Sequence, residues 1–200
     1  MTHGYVTVPT FVFVHGAGSN SFTWAPMQRE LALRGHRSLA VDLPGHGFGA
    51  TFPVAYQAPQ DLAALAAAPS AMAGIGHADN VAHVLDVVRR VREHGPVILV
   101  GHSRGGLTLT GVANAAPELL DRLVYISAWC CAADTPAGYQ ASAENASSAL
   151  NGVGGLLAAN PTKLGALSCY RRNFWLVFGL SMIPLCSGSL PYAMVANCLR

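Results

Sequence analysis

One stretch constrains the fold more than any other, because in it a buried strand runs directly into a serine flanked by glycines. Residues 96–106 read Pro-Val-Ile-Leu-Val-Gly-His-Ser-Arg-Gly-Gly. The uninterrupted apolar run predicts a strand of a parallel sheet that is covered on both faces. Residues 106–116 predict a helix with small residues facing that sheet. A Gly-x-Ser-x-Gly pattern between strand and helix is typical of a sharp turn that exposes the serine hydroxyl. We therefore predict that Ser103 is a nucleophile, with a purely structural glycine-rich turn as the alternative.

The remaining elements predict an α/β fold. Buried or half-buried strands are predicted at residues 10–14, 37–42 and 122–127. A first helix is expected up to about residue 34, capped by Thr23, and a second from Asp79, where apolar residues recur at helical spacing. Residues 50–76 predict a long connection with one short helix near residues 58–68. The order β-α-β-α-β-α-β predicts a parallel sheet with helices on both faces.

Parallel sheets of this kind bind ligands at the carboxyl ends of their strands. Four segments are predicted to meet there: the glycine-rich loop at residues 15–20, the turn at residues 43–47, Ser103, and residues 128–134. The loop lacks the third glycine of a dinucleotide fingerprint and the Gly-Lys-Ser/Thr of a phosphate-binding loop. The crevice is therefore not predicted to hold a nucleotide.

Composition excludes several classes of function. Only 11% of the residues are charged, the net charge is +2, and the basic residues form no patch, so nucleic-acid binding has no support. No His, Cys, Asp or Glu group has metal-ligand spacing, and we expect neither a metal nor a cofactor. The five cysteines are unpatterned, and we read no secretory signal at the N-terminus. These two observations predict reduced thiols and a cytoplasmic location.

Three motifs in register carry a family resemblance. Phe-Val-Phe-Val-His-Gly-Ala-Gly at residues 11–18, Asp-Leu-Pro-Gly-His-Gly at 42–47 and Val-Gly-His-Ser-Arg-Gly-Gly at 100–106 together resemble the α/β-hydrolase fold. The resemblance covers about residues 8–163. Within the family the chain looks most similar to lid-bearing esterases of the methylesterase and hydroxynitrile-lyase branch.

The resemblance implies site residues. Ser103 matches the nucleophile, and the backbone N–H groups of Ala17 and Arg104 match the oxyanion hole, which stabilises the charge that develops on the substrate oxygen. Asp134 is the candidate acid, although a turn-forming role before Pro136 is an alternative. The family's base is a histidine that follows the serine, but no histidine follows Ser103 in this chain. His15 and His46 are expected to shape the crevice loops rather than act as the base.

The family resemblance therefore implies a serine hydrolase that cleaves carboxylic esters. Its expected substrate is a small apolar ester, bound under a lid at residues 135–160. This chain is expected to be inactive alone for lack of a base, since a serine hydroxyl needs one. The alternatives are a non-catalytic α/β-hydrolase-like module that binds a small apolar ligand or a partner, and a fragment without a stable fold.

The C-terminal part departs from the family pattern. We expect an α/β-hydrolase core with the start of a lid at residues 1–163, including a helical piece near 150–159, and an atypical uncharged apolar tail at 164–200. Residues 173–199 contain no charged residue. Their tightest apolar run is short for a membrane span and contains Pro184, so membrane contact through this segment is the less favoured alternative. A lid hairpin and a truncated or frame-altered tail are the others.

Overall fold

The structure is a computed structural model that describes residues 8–70, 72–131 and 133–148. The chain divides into two compact units, Met1–Thr51 with Gly74–Ala141 and Phe52–Ala73 with Ser142–Arg200. The helical piece expected near residues 150–159 and the apolar tail at 164–200 lie outside the described residues.

The first unit contains a four-stranded parallel sheet, as predicted. Its strands are β1 (Thr10–Val14), β2 (Arg37–Val41), β3 (Val97–Ser103) and β4 (Arg122–Ala128). Their spatial order is β2-β1-β3-β4, and every neighbouring pair is parallel. The two central strands are β1 and β3, the most continuously apolar segments of the sequence, because a central strand must bury both faces.

Helices cover both faces of this sheet, which confirms the predicted fold class. The described helices are α1 (Ala25–Leu33), α2 (Leu62–Ala67), α3 (His77–Arg92), α4 (Gly105–Ala115) and α5 (Pro136–Ala141), of which α2 belongs to the second unit. On one face, Val12 and Val14 of β1 pack in a cluster with α3 and α4 residues. On the other face, Phe13 packs with Trp24 and with Met27 of α1. Successive strand residues alternate between these clusters, as the pleat of a strand requires.

The predicted cap of the first helix is wrong. The helical segment begins with a 3₁₀ turn, Ser21–Trp24, and continues into α1. Asn20 is therefore the residue that precedes the first turn, and its side-chain oxygen accepts from the Phe22 N–H at 3.0 Å. Thr23 lies inside the turn, where its hydroxyl donates to the Asn20 carbonyl. A one-turn 3₁₀ extension leaves no periodicity from which the sequence could reveal it.

The second unit is described for residues 52–70, 72–73 and 142–148. It contains α2, capped by Asp61, whose carboxylate accepts from the Ala64 N–H at 2.9 Å. Two short 3₁₀ turns, Val54–Tyr56 and Ala143–Asn145, complete its regular structure there. Across the described parts of both units, no helix is long and apolar enough to cross a membrane.

Candidate active site

Ser103 lies on a strained turn at the junction of β3 and α4. Its backbone φ is +53°, a left-handed conformation that a residue with a side chain adopts only at a cost. The pairing of β3 with β4 shifts register at His102 and Ser103, and the Trp129 N–H donates to the Ser103 carbonyl at 3.0 Å. Because strand pairing reaches the serine itself, the neighbouring strand holds the turn in place.

Close packing explains the two glycines of the Gly-x-Ser-x-Gly pattern. A Cβ on Gly101 would lie 2.6 Å from a methyl carbon of Leu109, and one on Gly105 would lie 2.7 Å from the Val14 carbonyl oxygen. Both distances are too short for a side chain, since real Cβ atoms essentially never approach this closely. The glycines therefore allow α4 to pack directly against the ends of β1 and β3.

The loop after β1 approaches Ser103 at Gly16. A Cβ on Gly16 would stand 2.8 Å from Ser103 Cβ and 3.3 Å from its Oγ. Gly16 is therefore packed tightly against the serine, and a side chain at this position would collide with Ser103. No described residue forms a hydrogen bond with Ser103 Oγ in the structure, so this hydroxyl is available to a ligand.

The two backbone amides predicted for the oxyanion hole adjoin this contact in the chain. Arg104 immediately precedes the first residue of α4, where backbone N–H groups have no carbonyl partner within the helix. Ala17 follows Gly16 in the loop and is exposed. Neither amide is a donor in the hydrogen bonds described outside regular helices and strands. Their role as oxyanion-hole donors stays a prediction.

His15 is buried, with only 1% of its surface exposed, and both of its ring nitrogens are engaged. Its Nε2 accepts from the Leu43 N–H at 3.1 Å, so the proton is on Nδ1, which lies 2.8 Å from the Gly16 carbonyl oxygen and donates to it. Burial lowers the pKa of His15 from its ordinary 6.5 to about 4, although the bond to Gly16 acts in the opposite direction. A neutral ring with both nitrogens occupied cannot serve as a base, which confirms the predicted loop-shaping role.

Asp42 joins the loop after β1 to the turn after β2. Its two carboxylate oxygens accept from the Ser21 N–H at 2.6 Å and from the Phe48 N–H at 3.3 Å. Partial burial acts to raise the pKa of Asp42, but these hydrogen bonds outweigh it and hold the pKa below its ordinary value. Gly47, at φ +55°, makes room for the carboxylate, because a Cβ there would lie 2.0 Å from Asp42 Oδ2. The sequence analysis gave this aspartate no role.

The other histidines at the crevice also have structural contacts. His46 lies beside His15, with ring centroids 4.8 Å apart, and its Nδ1 donates to the Pro44 carbonyl at 3.0 Å. His102 is exposed and meets the Trp24 ring edge-on, and desolvation lowers its pKa. Because His102 precedes Ser103 directly on β3, strand alternation predicts that their side chains point to opposite faces. Ser103 has no histidine partner among the described hydrogen bonds.

The acids that follow Ser103 are spread over the molecule. Asp134 is exposed just past β4, and its carboxylate accepts from the neighbouring Thr135 N–H at 2.6 Å. This local bond is the turn-forming contact expected of an aspartate before Pro136, and its assignment as the acid stays a prediction. Asp121 lies at the opposite end of the sheet, because its carboxylate accepts from the N–H of Val97, the first residue of β3. It is therefore separated from Ser103 by the length of β3, about 20 Å.

The described part of the chain contains no group of three or more His, Cys, Asp or Glu side chains that could hold a metal ion. Cys130 and Cys131 are free thiols just beyond β4. Desolvation, followed by the proximity of Cys130 and Asp134, raises the pKa of Cys131.

Comparison with known proteins identifies the family to which this site belongs. The sequence model of the alpha/beta hydrolase family matches residues 11–192. The match thus extends beyond residue 163, where the motif-based resemblance ends.

Individual relatives share part of this chain. The esterase Rv0045c of Mycobacterium tuberculosis is 33% identical over 138 residues, which are 69% of this chain and 37% of that protein. An (E)-2-((N-methylformamido)methylene)succinate hydrolase of Acinetobacter baylyi is 30% identical over 58% of this chain and 36% of its own length. Among solved structures, the methylesterase MES16 of Arabidopsis is 24% identical with a TM-score of 0.48, over 61% of this chain and 44% of that one.

The chain spans little more than a third of the length of these two curated relatives. The family match, by contrast, covers most of the present sequence, and the parallel sheet with helices on both faces is the arrangement expected from the three motifs. The chain belongs to the alpha/beta hydrolase family.

Proposed function

We propose that this chain carries the nucleophile and the oxyanion hole of a serine hydrolase that cleaves carboxylic esters. The observation that carries the proposal is the placement of Ser103, on a left-handed turn at the end of a central strand and in close contact with Gly16 of the loop after β1. A strained nucleophile position at the end of a central strand is the geometry that presents a serine to a substrate. The similarity to an esterase and to a hydrolase of an N-methylformamido succinate supports hydrolysis of a small substrate.

In the proposed reaction, Ser103 Oγ attacks the ester carbonyl carbon and a base takes the hydroxyl proton. The carbonyl oxygen becomes an oxyanion that accepts from the Ala17 and Arg104 amides. The alkoxy C–O bond then breaks, the leaving alcohol receives the proton, and water hydrolyses the acyl-serine to the acid. Each amide donor contributes on the order of 3 kcal/mol to transition-state stabilisation in such sites. Asp134 is the proposed acid, and a small apolar ester the proposed substrate class.

The base is not supplied by this chain in our proposal. His102 is the last histidine in the sequence, and His15 has both ring nitrogens engaged. Loss of a triad member typically lowers the rate by about 10⁴-fold or more. We therefore expect the 200-residue chain to show little turnover of p-nitrophenyl butyrate, and added imidazole to raise that turnover by acting as a base.

The test compares this imidazole-dependent turnover in three proteins, after subtraction of the rate that imidazole alone gives in protein-free buffer. Ser103→Ala should abolish it. Ser127→Ala is the matched control, since Ser127 is an exposed serine on the neighbouring strand that also has a left-handed backbone, at φ +43°. Robust turnover without imidazole that depends on Ser103 would show that the chain does contain a base. Imidazole-dependent turnover that survives Ser103→Ala would contradict the proposed nucleophile.

A non-catalytic binding module is the second candidate. It is favoured by the commitment of His15 and His46 to loop hydrogen bonds. A fluorophosphonate probe separates the two candidates, because labelling of Ser103 requires an activated serine, whereas a binding module would stay unlabelled even with imidazole present. We also propose a cytoplasmic location for this protein, on the grounds of its unpatterned cysteines and the free thiols of Cys130 and Cys131.

A further inference from the structure

The oxyanion loop, residues 15–20, is attached at both of its ends to the turn after β2, residues 42–48. Near its start, His15 Nε2 accepts from the Leu43 N–H at 3.1 Å. Just beyond its end, the Ser21 N–H donates to Asp42 at 2.6 Å. Two adjacent residues of the β2 turn therefore hold the two sides of one loop, and the Gly16–Ala17 peptide lies between these attachments.

The attachment at His15 also fixes the orientation of that peptide. His15 Nδ1 donates to the Gly16 carbonyl oxygen at 2.8 Å. This carbonyl and the Ala17 N–H belong to the same planar trans peptide unit, so they point in opposite directions. A ring that holds the carbonyl on one side consequently turns the Ala17 N–H to the other. The ring itself is buried to 99% and is held by Leu43, which leaves it little freedom to rotate.

The Asp42 carboxylate is also held tightly within the turn after β2. Its second oxygen accepts from the Phe48 N–H, and Gly47 leaves no side chain in the volume that the carboxylate fills. The carboxylate thereby closes the β2 turn and holds Ser21 at the same time. Removing the carboxylate would therefore release both Ser21 and the turn at Phe48.

We infer that Asp42 and His15 are positioning residues that hold the Gly16–Ala17 peptide beside Ser103 and so preform the oxyanion hole. The inference rests on the proposed function for its purpose, since an oxyanion hole matters only if Ser103 reacts. The positioning itself is a property of the folded chain and can be measured separately. Misplacement of a reacting group by about 1 Å lowers reactivity by about 100-fold, so a modest movement of this peptide is sufficient to impair the site.

Two measurements test the inference. The first is the ¹⁵N–¹H resonance and hydrogen exchange of the Ala17 amide in the isotopically labelled chain. The second is the dissociation constant of phenylboronic acid, whose boron accepts the Ser103 oxygen while the hydroxyl proton passes to solvent. The boronate so formed places an oxygen where the oxyanion would lie. Because this addition is an equilibrium, it does not require a base in the chain.

Three variants interrupt the attachment at Asp42. Asp42→Ala removes the carboxylate, Ser21→Pro removes the N–H that it binds, and Asp42→Asn keeps one oxygen acceptor. Pro is compatible with the first position of a helical turn. We expect Asp42→Ala and Ser21→Pro to shift the Ala17 resonance, speed its exchange and weaken phenylboronic acid binding by about 10-fold to 100-fold. Asp42→Asn should give a smaller loss, and Asp86→Ala, at an exposed aspartate of α3, should change nothing.

The outcomes separate the two proposals. If Asp42→Ala and Ser21→Pro fold but leave the Ala17 amide and the boronate affinity unchanged, the positioning inference is overturned. If Asp42→Ala does not fold, Ser21→Pro and Asp42→Asn decide by the same criteria. If the parent chain and Ser103→Ala both fail to bind phenylboronic acid, the proposed function fails, while the Ala17 resonance still decides whether Asp42 positions the loop.

Discussion

Gly16 and Ser103 face each other so closely that a methyl group on the glycine would lie 2.8 Å from Ser103 Cβ. Only a glycine allows the loop after β1 to come this close to the serine. Ser103 comes from the end of β3, and Gly16 follows β1, the strand paired with it. The candidate site is therefore a product of the pairing of the two central strands.

Gly16→Ala should push the loop after β1 away from Ser103. The new methyl would lie 2.8 Å from Ser103 Cβ and 3.3 Å from its Oγ, so the loop or the serine must shift. We expect phenylboronic acid affinity to fall by about 10-fold or more, as measured by titration monitored by tryptophan fluorescence. Gly49→Ala is the control, because a Cβ there has nothing within 4 Å. Unchanged affinity in a folded Gly16→Ala protein would mean that the close contact of Gly16 with Ser103 does not control binding.

Alanine substitutions at three glycines, Gly47 and Gly49 after β2 and Gly35 before it, should destabilise the protein to different extents. Gly49→Ala introduces no contact, and Gly35→Ala adds only the strain of φ +77°, about 1–2 kcal/mol. Gly47→Ala adds strain at φ +55° and also a Cβ 2.0 Å from the Asp42 carboxylate, so it should destabilise by more than either. Urea unfolding measures the free energy of unfolding for each. If Gly35→Ala were the more damaging of the two strained positions, the Asp42 contact would not control the turn.

Stability should fall as the pH drops from about 6.5 to 4. The folded-state pKa of His15 is depressed to about 4, so in this window the unfolded chain binds the additional proton and unfolding is favoured. The shift corresponds to at most about 3 kcal/mol, fully lost only below pH 4. Asp42, whose pKa lies below its ordinary value, acts in the same direction, but only as the pH falls below about 4.

The pH dependence is measured as the free energy of unfolding in urea at several pH values. His15→Gln removes the titrating ring and should flatten the slope between pH 4 and 6.5, even though it also lowers the overall stability. The same replacement at His83, an exposed residue of α3, is the matched control. Slopes that decrease equally in both variants would contradict the assignment to His15.

Asp121 should stabilise the sheet without affecting the site. Its carboxylate accepts from the Val97 N–H at 2.7 Å and pairs with Arg92 at 2.5 Å. Asp121→Ala leaves the partly buried Val97 amide without its partner, so we expect a loss of about 1–3 kcal/mol and unchanged phenylboronic acid affinity. Glu30→Ala, which removes only an exposed pair with Arg29, should have no measurable effect. A loss of boronate affinity in Asp121→Ala would imply that the two ends of β3 are coupled.

The strands and most helices could be predicted because their signals are local. β1 is bounded by a polar start and the His15-Gly16 loop, and its prediction at residues 10–14 agrees with the structure. The stripe of Val84, Leu85 and Val88 faces the core as expected, because helical spacing alone determines it. The prediction of a cap at Thr23 was wrong because a single 3₁₀ turn precedes the helix, so that Asn20 is the capping residue. Nothing in the local sequence distinguishes Asn20 from Thr23 as a cap.

The candidate site was only partly accessible from the sequence. Ser103 and the glycine loop are visible as motifs, but the role of Asp42 depends on contacts with Ser21 and Phe48, which lie 21 and 6 residues away. No periodicity connects these positions. The buried, neutral state of His15 likewise depends on the Leu43 amide, which only the pairing of β1 with β2 brings near.

The pairing of β1 with β3 has a consequence for how the chain folds. Thr10 pairs with Val97, so the two central strands meet only after nearly a hundred residues have been made, and the segments between them must be accommodated first. Contacts this distant in sequence form slowly. During synthesis we therefore expect β1 to pair with β2 first. Its other edge is then exposed to aggregation or to chaperones until β3 has been made. Since Gly16 and Ser103 lie at the ends of these two strands, Ser103 acquires its surroundings only when β1 and β3 have paired.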